Sequence, residues 1–241
     1  MPGLAVTLSI LVGCASIIIF PRAIVAMLCI LLPGIIWRDG HRRNFALTFD
    51  DGPDPEFTPA ILNILNRHHV KATFFLVGSR AALYPEIIYR IRAEGHEIAN
   101  HSMTWRRTIA LSTKEFEDDL LQAEATLDLS GRKWFRPAGM WIRPAQLKRL
   151  RELGYECVLG SAYAFDPYRP PTRWIVRMIT HQLAPGSIIV LHDSGGDRSN
   201  TVAALPAIIE TAVARELKAV TLSELLGDPF EEMGASEVSR R

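Results

Sequence analysis

From residue 44 onward the chain alternates short apolar runs with longer segments of helical period. That alternation restricts the possible fold more than any other feature of its 241 residues. Seven runs read as strands: residues 44–49, 72–77, 97–99, 134–136, 155–159, 187–191 and 218–220. Several are apolar throughout rather than alternating, as strands covered on both faces must be. Between them, Thr58-Pro59 reads as an N-cap followed by proline in the first helical position, opening a helix to about His69. A second helix stops at Gly95. Ser112-Thr113-Lys114-Glu115 has capping-box spacing and starts a helix to about Asp128. Further helices are expected over 144–153, closed by Gly154, and over 171–183 and 200–216. Strands that return through helices run parallel, so the expected class is α/β with a parallel sheet, open or barrel-like.

The residues before 43 do not fit that pattern. Between Pro2 and Trp37 the only charged side chain is Arg22. Residues 4–20 and 23–37 form two apolar blocks separated by Pro21-Arg22, each slightly shorter than the ~20 residues a spanning helix needs. A single tilted or kinked anchor and a tight helical hairpin both satisfy this. A cleaved signal peptide fits less well, because the basic n-region is missing and the apolar stretch is too long. The expected organisation is therefore an N-terminal membrane anchor or hairpin over 1–42, one domain over 43–227, and a polar tail over 228–241. Arg38, Arg42 and Arg43 would hold the downstream flank in the cytosol, whereas an outward-facing domain needs the opposite bias. Membrane attachment with an extracytoplasmic domain is the expectation, and sidedness stays open.

Composition removes other classes. A net charge of +1 with dispersed basic residues offers no nucleic-acid surface. Of three cysteines, Cys14 and Cys29 lie in the apolar leader and Cys157 stands alone, so the domain has neither a disulfide framework nor a cysteine zinc site.

Polar residues gather just after the apolar runs: Asp50 and Asp51, His101, Arg136, Asp166, His192 and Asp193. In a parallel barrel those positions converge on one rim. An Asp-Asp pair alone is most simply an acidic turn. At a strand end, however, successive side chains point to opposite sides, so one carboxylate can hold a metal while its neighbour acts as a base.

Five motifs occur in series: Thr48-Phe49-Asp50-Asp51-Gly52-Pro53, Ala72-Thr73-Phe74-Phe75, Gly95-His96-Glu97-Ile98-Ala99-Asn100-His101-Ser102, Phe135-Arg136-Pro137 and Ile189-Val190-Leu191-His192-Asp193. In order and spacing the chain resembles the NodB-like polysaccharide deacetylases, carbohydrate esterase family 4, from about Arg43 to Gly227. The resemblance implies a distorted (β/α) barrel of about seven parallel strands and metal-dependent removal of acetyl groups from sugar polymers. It implies Asp50 as general base, Asp51 and His101 as metal ligands, Arg136 as the partner that orients Asp50, and His192 as general acid. Asp166 falls where the family often places a carboxylate supporting that histidine. Zn²⁺ or Co²⁺ is the implied cofactor, and a polysaccharide such as chitin or peptidoglycan glycan the implied substrate. The alternatives are an O-acetyl esterase and a catalytically silent, membrane-tethered carbohydrate binder.

The chain also departs from the pattern. The second motif usually carries another histidine four residues after the first, and here that position is Trp105. An indole N–H is only a donor, so the protein ligands fall from three to two and the metal site is weakened. The third motif reads Arg136-Pro137-Ala138-Gly139-Met140 and lacks the usual aromatic and glycine placement, which alters the expected groove wall.

Overall fold

A computed structural model describes residues 21–39 and 44–227. Helix α1 (Pro21–Leu31) precedes a two-residue strand, β1 (Ile35–Ile36). Strand β2 (Phe45–Asp50) then opens the repeating part. It is followed by α2 (Phe57–Arg67), β3 (Thr73–Leu76), the short α3 (Gly78–Ala81), α4 (Pro85–Ala93) and β4 (Glu97–Asn100). Next come α5 (Thr113–Leu127), β5 (Lys133–Phe135), α6 (Pro144–Glu152), β6 (Tyr155–Val158) and β7 (Ala162–Tyr163). The domain closes with α7 (Thr172–Gln182), β8 (Ile188–His192), α8 (Ser199–Ala214), β9 (Ala219–Val220) and α9 (Leu222–Leu226).

Among the described residues nine strands form one sheet in the order β1-β6-β5-β4-β3-β2-β8-β7, with β9 added beside the start of β2. Every ladder is parallel. The sheet curls into an incomplete barrel. An antiparallel bridge from Arg38 to Ser187 ties the segment after β1 to the start of β8. All strands therefore end on the same rim, which is what gathers the polar residues.

Pleating divides β2 between two cores. Phe45, Leu47 and Phe49 face the helices, packing with Ile61, Leu62 and Leu65 of α2 and Leu205, Ile208 and Ile209 of α8. Ala46 faces the lumen with Phe75, Ala99, Trp134, Val158 and Ile188, and Leu222 and Leu225 of α9 join them. A third cluster holds α5 and α6 against β5 and β6 through Phe116, Leu120, Phe135, Leu150 and Tyr155. The α5 capping box forms as its sequence requires: Ser112 accepts from the Glu115 N–H, and the Glu115 carboxylate accepts from the Ser112 N–H.

Three expectations change. The strands number nine rather than about seven, because Ile35–Ile36 and Ala162–Tyr163 are too short to show a pattern of their own. Ile35 and Ile36 pair with Cys157 and Val158 in the barrel and Trp37 is buried, so part of the second apolar block belongs to the domain. Thr58 does not cap α2. That helix begins at Phe57, the Asp54 carboxylate accepts from the Glu56 and Phe57 N–H groups, and the Thr58 side chain turns inward. Among the described residues no helix is long and apolar enough to cross a membrane. Residues 1–20 and 40–42 of the expected anchor, and the polar tail from 228, lie outside the described residues.

Candidate active site

At the C-terminal end of β2 the chain delivers Asp50 into the lumen and turns sharply at Asp51, whose φ of +76° lies in the left-handed region that non-glycine residues rarely occupy. The strain reverses the direction of the second carboxylate, so the adjacent aspartates enter different environments. Asp50 meets Arg136, which leaves the end of β5: Nη1 donates to Asp50 Oδ1 at 2.5 Å. The guanidinium makes four hydrogen bonds. It also donates to Thr48 Oγ1 (2.7 Å) and to the carbonyls of Val158 (3.2 Å) and Leu159 (2.6 Å), and it lies 3.9 Å over the Phe75 ring. A buried pair with this many partners keeps one geometry.

Asp51 faces His101, the first residue after β4. His101 Nδ1 lies 2.8 Å from the Arg136 carbonyl, an acceptor only, so Nδ1 carries the hydrogen and Nε2 points at Asp51 Oδ1, 3.3 Å away. Burial alone would raise the Asp51 carboxyl, but the His101 hydrogen bond and charge, with help from His192 and Trp105, hold it at about 2. Burial pushes the His101 ring down, while Asp51 and Asp50 outweigh this and leave its pKa raised.

Beside Asp50, its register partner on the neighbouring strand, His192 at the end of β8 is held by Asp166. Asp166 Oδ1 lies 3.0 Å from His192 Nδ1, and Oδ2 accepts from the His192 backbone N–H (2.9 Å) and from Thr201 (3.1 Å). Burial lowers the imidazole, but the Asp166 hydrogen bond and charge, with Asp50 and Asp51 behind them, bring it up to about 9. Asp193 is fully buried, and the Thr58 hydroxyl donates to its Oδ2 at 2.5 Å. Burial raises this carboxyl to about 7, the charges of Asp51 and Asp50 adding to the effect and Thr58 opposing it.

Asp50, Asp51, His101, Arg136, Asp166 and His192 thus share one rim. Three further residues shape it. Thr48 shares a strand face with Asp50 at i, i+2, which is the signal that would have found it. Thr201 and Arg198 carry no such signal. Arg198 is buried and donates to the carbonyls of Ser194 (2.6 Å), Gly195 (2.7 Å) and Asp166 (3.3 Å), lashing the loop after β8 to the loop that carries Asp166.

Two protein donors at this rim fit a cation. The 3.3 Å separation of His101 Nε2 and Asp51 Oδ1 matches two ligands each ~2.0–2.2 Å from one tetrahedral ion. A third protein ligand does not follow: Trp105 Nε1 donates to Asp51 Oδ1 at 2.8 Å, and no group of three His, Cys, Asp or Glu side chains among the described residues could hold a metal.

Residues 38–158 match the sequence profile described as polysaccharide deacetylase. A peptidoglycan-N-acetylglucosamine deacetylase of Bacillus cereus is 38% identical over 195 residues, spanning 77% of this chain and 89% of that protein. A chitooligosaccharide deacetylase of Sinorhizobium fredii is 37% identical over 178 residues, spanning 68% and 82%. Among solved structures, a peptidoglycan N-acetylglucosamine deacetylase superposes with a TM-score of 0.78 at 33% identity, covering 82% of this chain and 95% of that one. A family 4 pseudoenzyme from Bacillus anthracis gives 0.74 at 28% identity, covering 81% and 69%. A family 4 acetyl xylan esterase from Clostridium thermocellum, in complex with a cobalt ion, gives 0.70 at 30% identity, covering 75% and 89%.

Proposed function

The chain belongs to the polysaccharide deacetylase family, and from that premise we propose that it hydrolyses the N-acetyl groups of an N-acetylglucosamine-containing glycan of the peptidoglycan or chitin type. The observation that carries this reading is a base and an acid side by side at the ends of β2 and β8, each with its own buried partner. Arg136 bonds Asp50 at 2.5 Å, and Asp166 lies 3.0 Å from the His192 ring. The B. cereus and S. fredii relatives, named for peptidoglycan N-acetylglucosamine and chitooligosaccharide, support the substrate class.

In this reading Asp50 takes the proton of the attacking water. Arg136 fixes the direction of its free oxygen through the Oδ1 bond and the clamp on Val158 and Leu159. His192, charged below about pH 9, holds the proton that the departing amine needs, and Asp166 keeps that proton on the ring facing the mouth. The buried walls, with Phe75 beneath Arg136, keep bulk water away from the ion pair. A Zn²⁺ or Co²⁺ ion held by Asp51 and His101 would polarise the acetyl carbonyl and acidify water. The cobalt ion of the C. thermocellum esterase supports that choice of metal. A glycan of the cell wall lies outside the membrane, so the apolar leader is read as an anchor with the domain facing outward; protease protection in spheroplasts tests that sidedness.

A second reading is favoured by Trp105, whose bond to Asp51 occupies the place of a ligand, and by the B. anthracis pseudoenzyme among the structural neighbours: a silent glycan binder. Acetate release from N-acetylglucosamine oligomers and from acetylated xylan, with and without Zn²⁺ or Co²⁺, separates the readings. Release from the oligomer supports N-deacetylation, release from xylan alone indicates an esterase, and binding without release indicates the silent protein.

A further inference from the structure

Trp105 is both pinned and exposed, a combination that the proposed chemistry does not use. Its indole N–H is committed to Asp51 Oδ1 at 2.8 Å. Its six-membered ring rests on the backbone of Gly195, whose φ is +81°; a Cβ there would lie 2.5 Å from Trp105 Cζ2 and 2.6 Å from Cη2. Only a glycine lets the ring approach so closely. Yet 53% of the residue is exposed. A core tryptophan would be covered, and a surface tryptophan without a function would not be held at both ends. One edge and the polar atom are fixed, and ring surface is left open beside the Asp51 carboxylate.

The surroundings repeat the theme. Six aromatic residues among those described are exposed: Tyr89, Trp105, Trp141, Phe165, Tyr168 and Trp174. Four of them, Trp105, Trp141, Phe165 and Tyr168, lie in loops that leave the strand ends on the catalytic rim. Exposed aromatic surface concentrated on one rim marks a place where a ligand lies.

We propose that Trp105 is a stacking platform for a pyranose ring of the glycan, and that this chain holds its sugar at the catalytic mouth by an aromatic face where a third metal ligand would stand. The C–H-rich face of a β-linked sugar is apolar and carries slight positive charge at its hydrogens, which suits the negative face of an indole. A ring already immobilised by Asp51 and Gly195 loses little freedom when the sugar arrives. Sugar binding at this platform needs no metal. The inference rests on the glycan reading above but not on turnover.

The test is calorimetric titration of the full chain with the N-acetylglucosamine tetramer in EDTA. Wild type should bind saturably. Trp105→Phe keeps an aromatic face but loses the N–H, one fused ring and the Cζ2 and Cη2 atoms over Gly195, so its affinity should fall less than that of Trp105→Ala. Trp105→Ala should weaken binding on the order of tenfold. In parallel, saturating tetramer should shield tryptophan fluorescence from acrylamide in wild type, and the shielding should shrink in Trp105→Phe, which removes that fluorophore without removing the site. Equal affinity in Trp105→Ala, or no saturable binding by wild type, would overturn the platform. The two readings fail separately. Acetate release with a silent Trp105→Ala titration leaves the deacetylase and removes the platform; Trp105-dependent binding without acetate release does the reverse.

Discussion

Replacing Asp166 by asparagine should move the alkaline limit of the reaction, because this carboxylate is the main reason that His192 stays charged. The imidazole is raised from 6.5 to about 9 even though its burial pulls the other way, so the three carboxylates together, Asp166 foremost, contribute more than the net rise. That net rise corresponds to about 3 kcal/mol favouring the charged ring. Asparagine preserves the shape and can still accept from the His192 N–H or from Thr201, but it brings no charge. Without that charge the ring should return toward its ordinary 6.5. At pH 8 a ring titrating at about 9 is nearly all protonated, whereas one at 6.5 is about 3% protonated, a loss of about thirtyfold in competent enzyme. At pH 6 the two should differ by less than twofold in protonation. The kcat/KM profile for acetate release reads this directly, and the imidazole shifts of His192 followed by NMR give the same titration without turnover. Stability follows the sign of a raised base. The His192–Asp166 pair stabilises fully below pH 6.5 and its contribution disappears as pH rises through about 9, so the Tm deficit of the variant should be largest in acid and vanish in alkali. An equal loss of kcat/KM at pH 6 and pH 8, or an alkaline limb that does not move, would refute the assignment of Asp166 to His192.

Other perturbations separate the two aspartates. Asp50→Asn should abolish turnover while leaving glycan and metal binding within about threefold, measured by acetate release beside calorimetry, since Asp51 and His101 are untouched. Trp105→His should raise Zn²⁺ affinity by at least tenfold in a competition assay, because it exchanges a donor on Asp51 for a possible third ligand. Ser112→Ala should cost about 1 kcal/mol in urea denaturation by removing the α5 capping box, with no effect on activity.

The strands that build the rim are legible because each is a compact apolar run ending at a polar residue, and pleating then fixes which side Asp50 takes. What escapes is of two kinds. Ile35–Ile36 and Ala162–Tyr163 are strands only because neighbours supply partners, and a two-residue ladder has no period to detect. Ile35 and Ile36 also sit inside an apolar leader that masks them. Thr58 escapes for another reason: Thr-Pro is a good local cap, but the hydroxyl donates to the buried Asp193 and its oxygen accepts from the Asp54 N–H instead of from the first turn of the helix. The pairings of the site were legible as roles rather than as contacts. Arg136 with Asp50, and Asp166 with His192, follow from motif order, whereas Arg198 bonds only carbonyls and leaves no mark in the sequence. Trp105 was legible as the absence of a ligand; its bond to Asp51 and its seat on Gly195 belong to the folded chain alone.

Acetate release from an N-acetylglucosamine oligomer, measured for wild type and Asp50→Asn with Zn²⁺ supplied, tests the central claim most directly. The account predicts metal-stimulated release by wild type, none by Asp50→Asn, and oligomer binding retained by both. Binding by wild type with no release under Zn²⁺ or Co²⁺ would contradict it and leave a glycan-binding protein built on a deacetylase barrel.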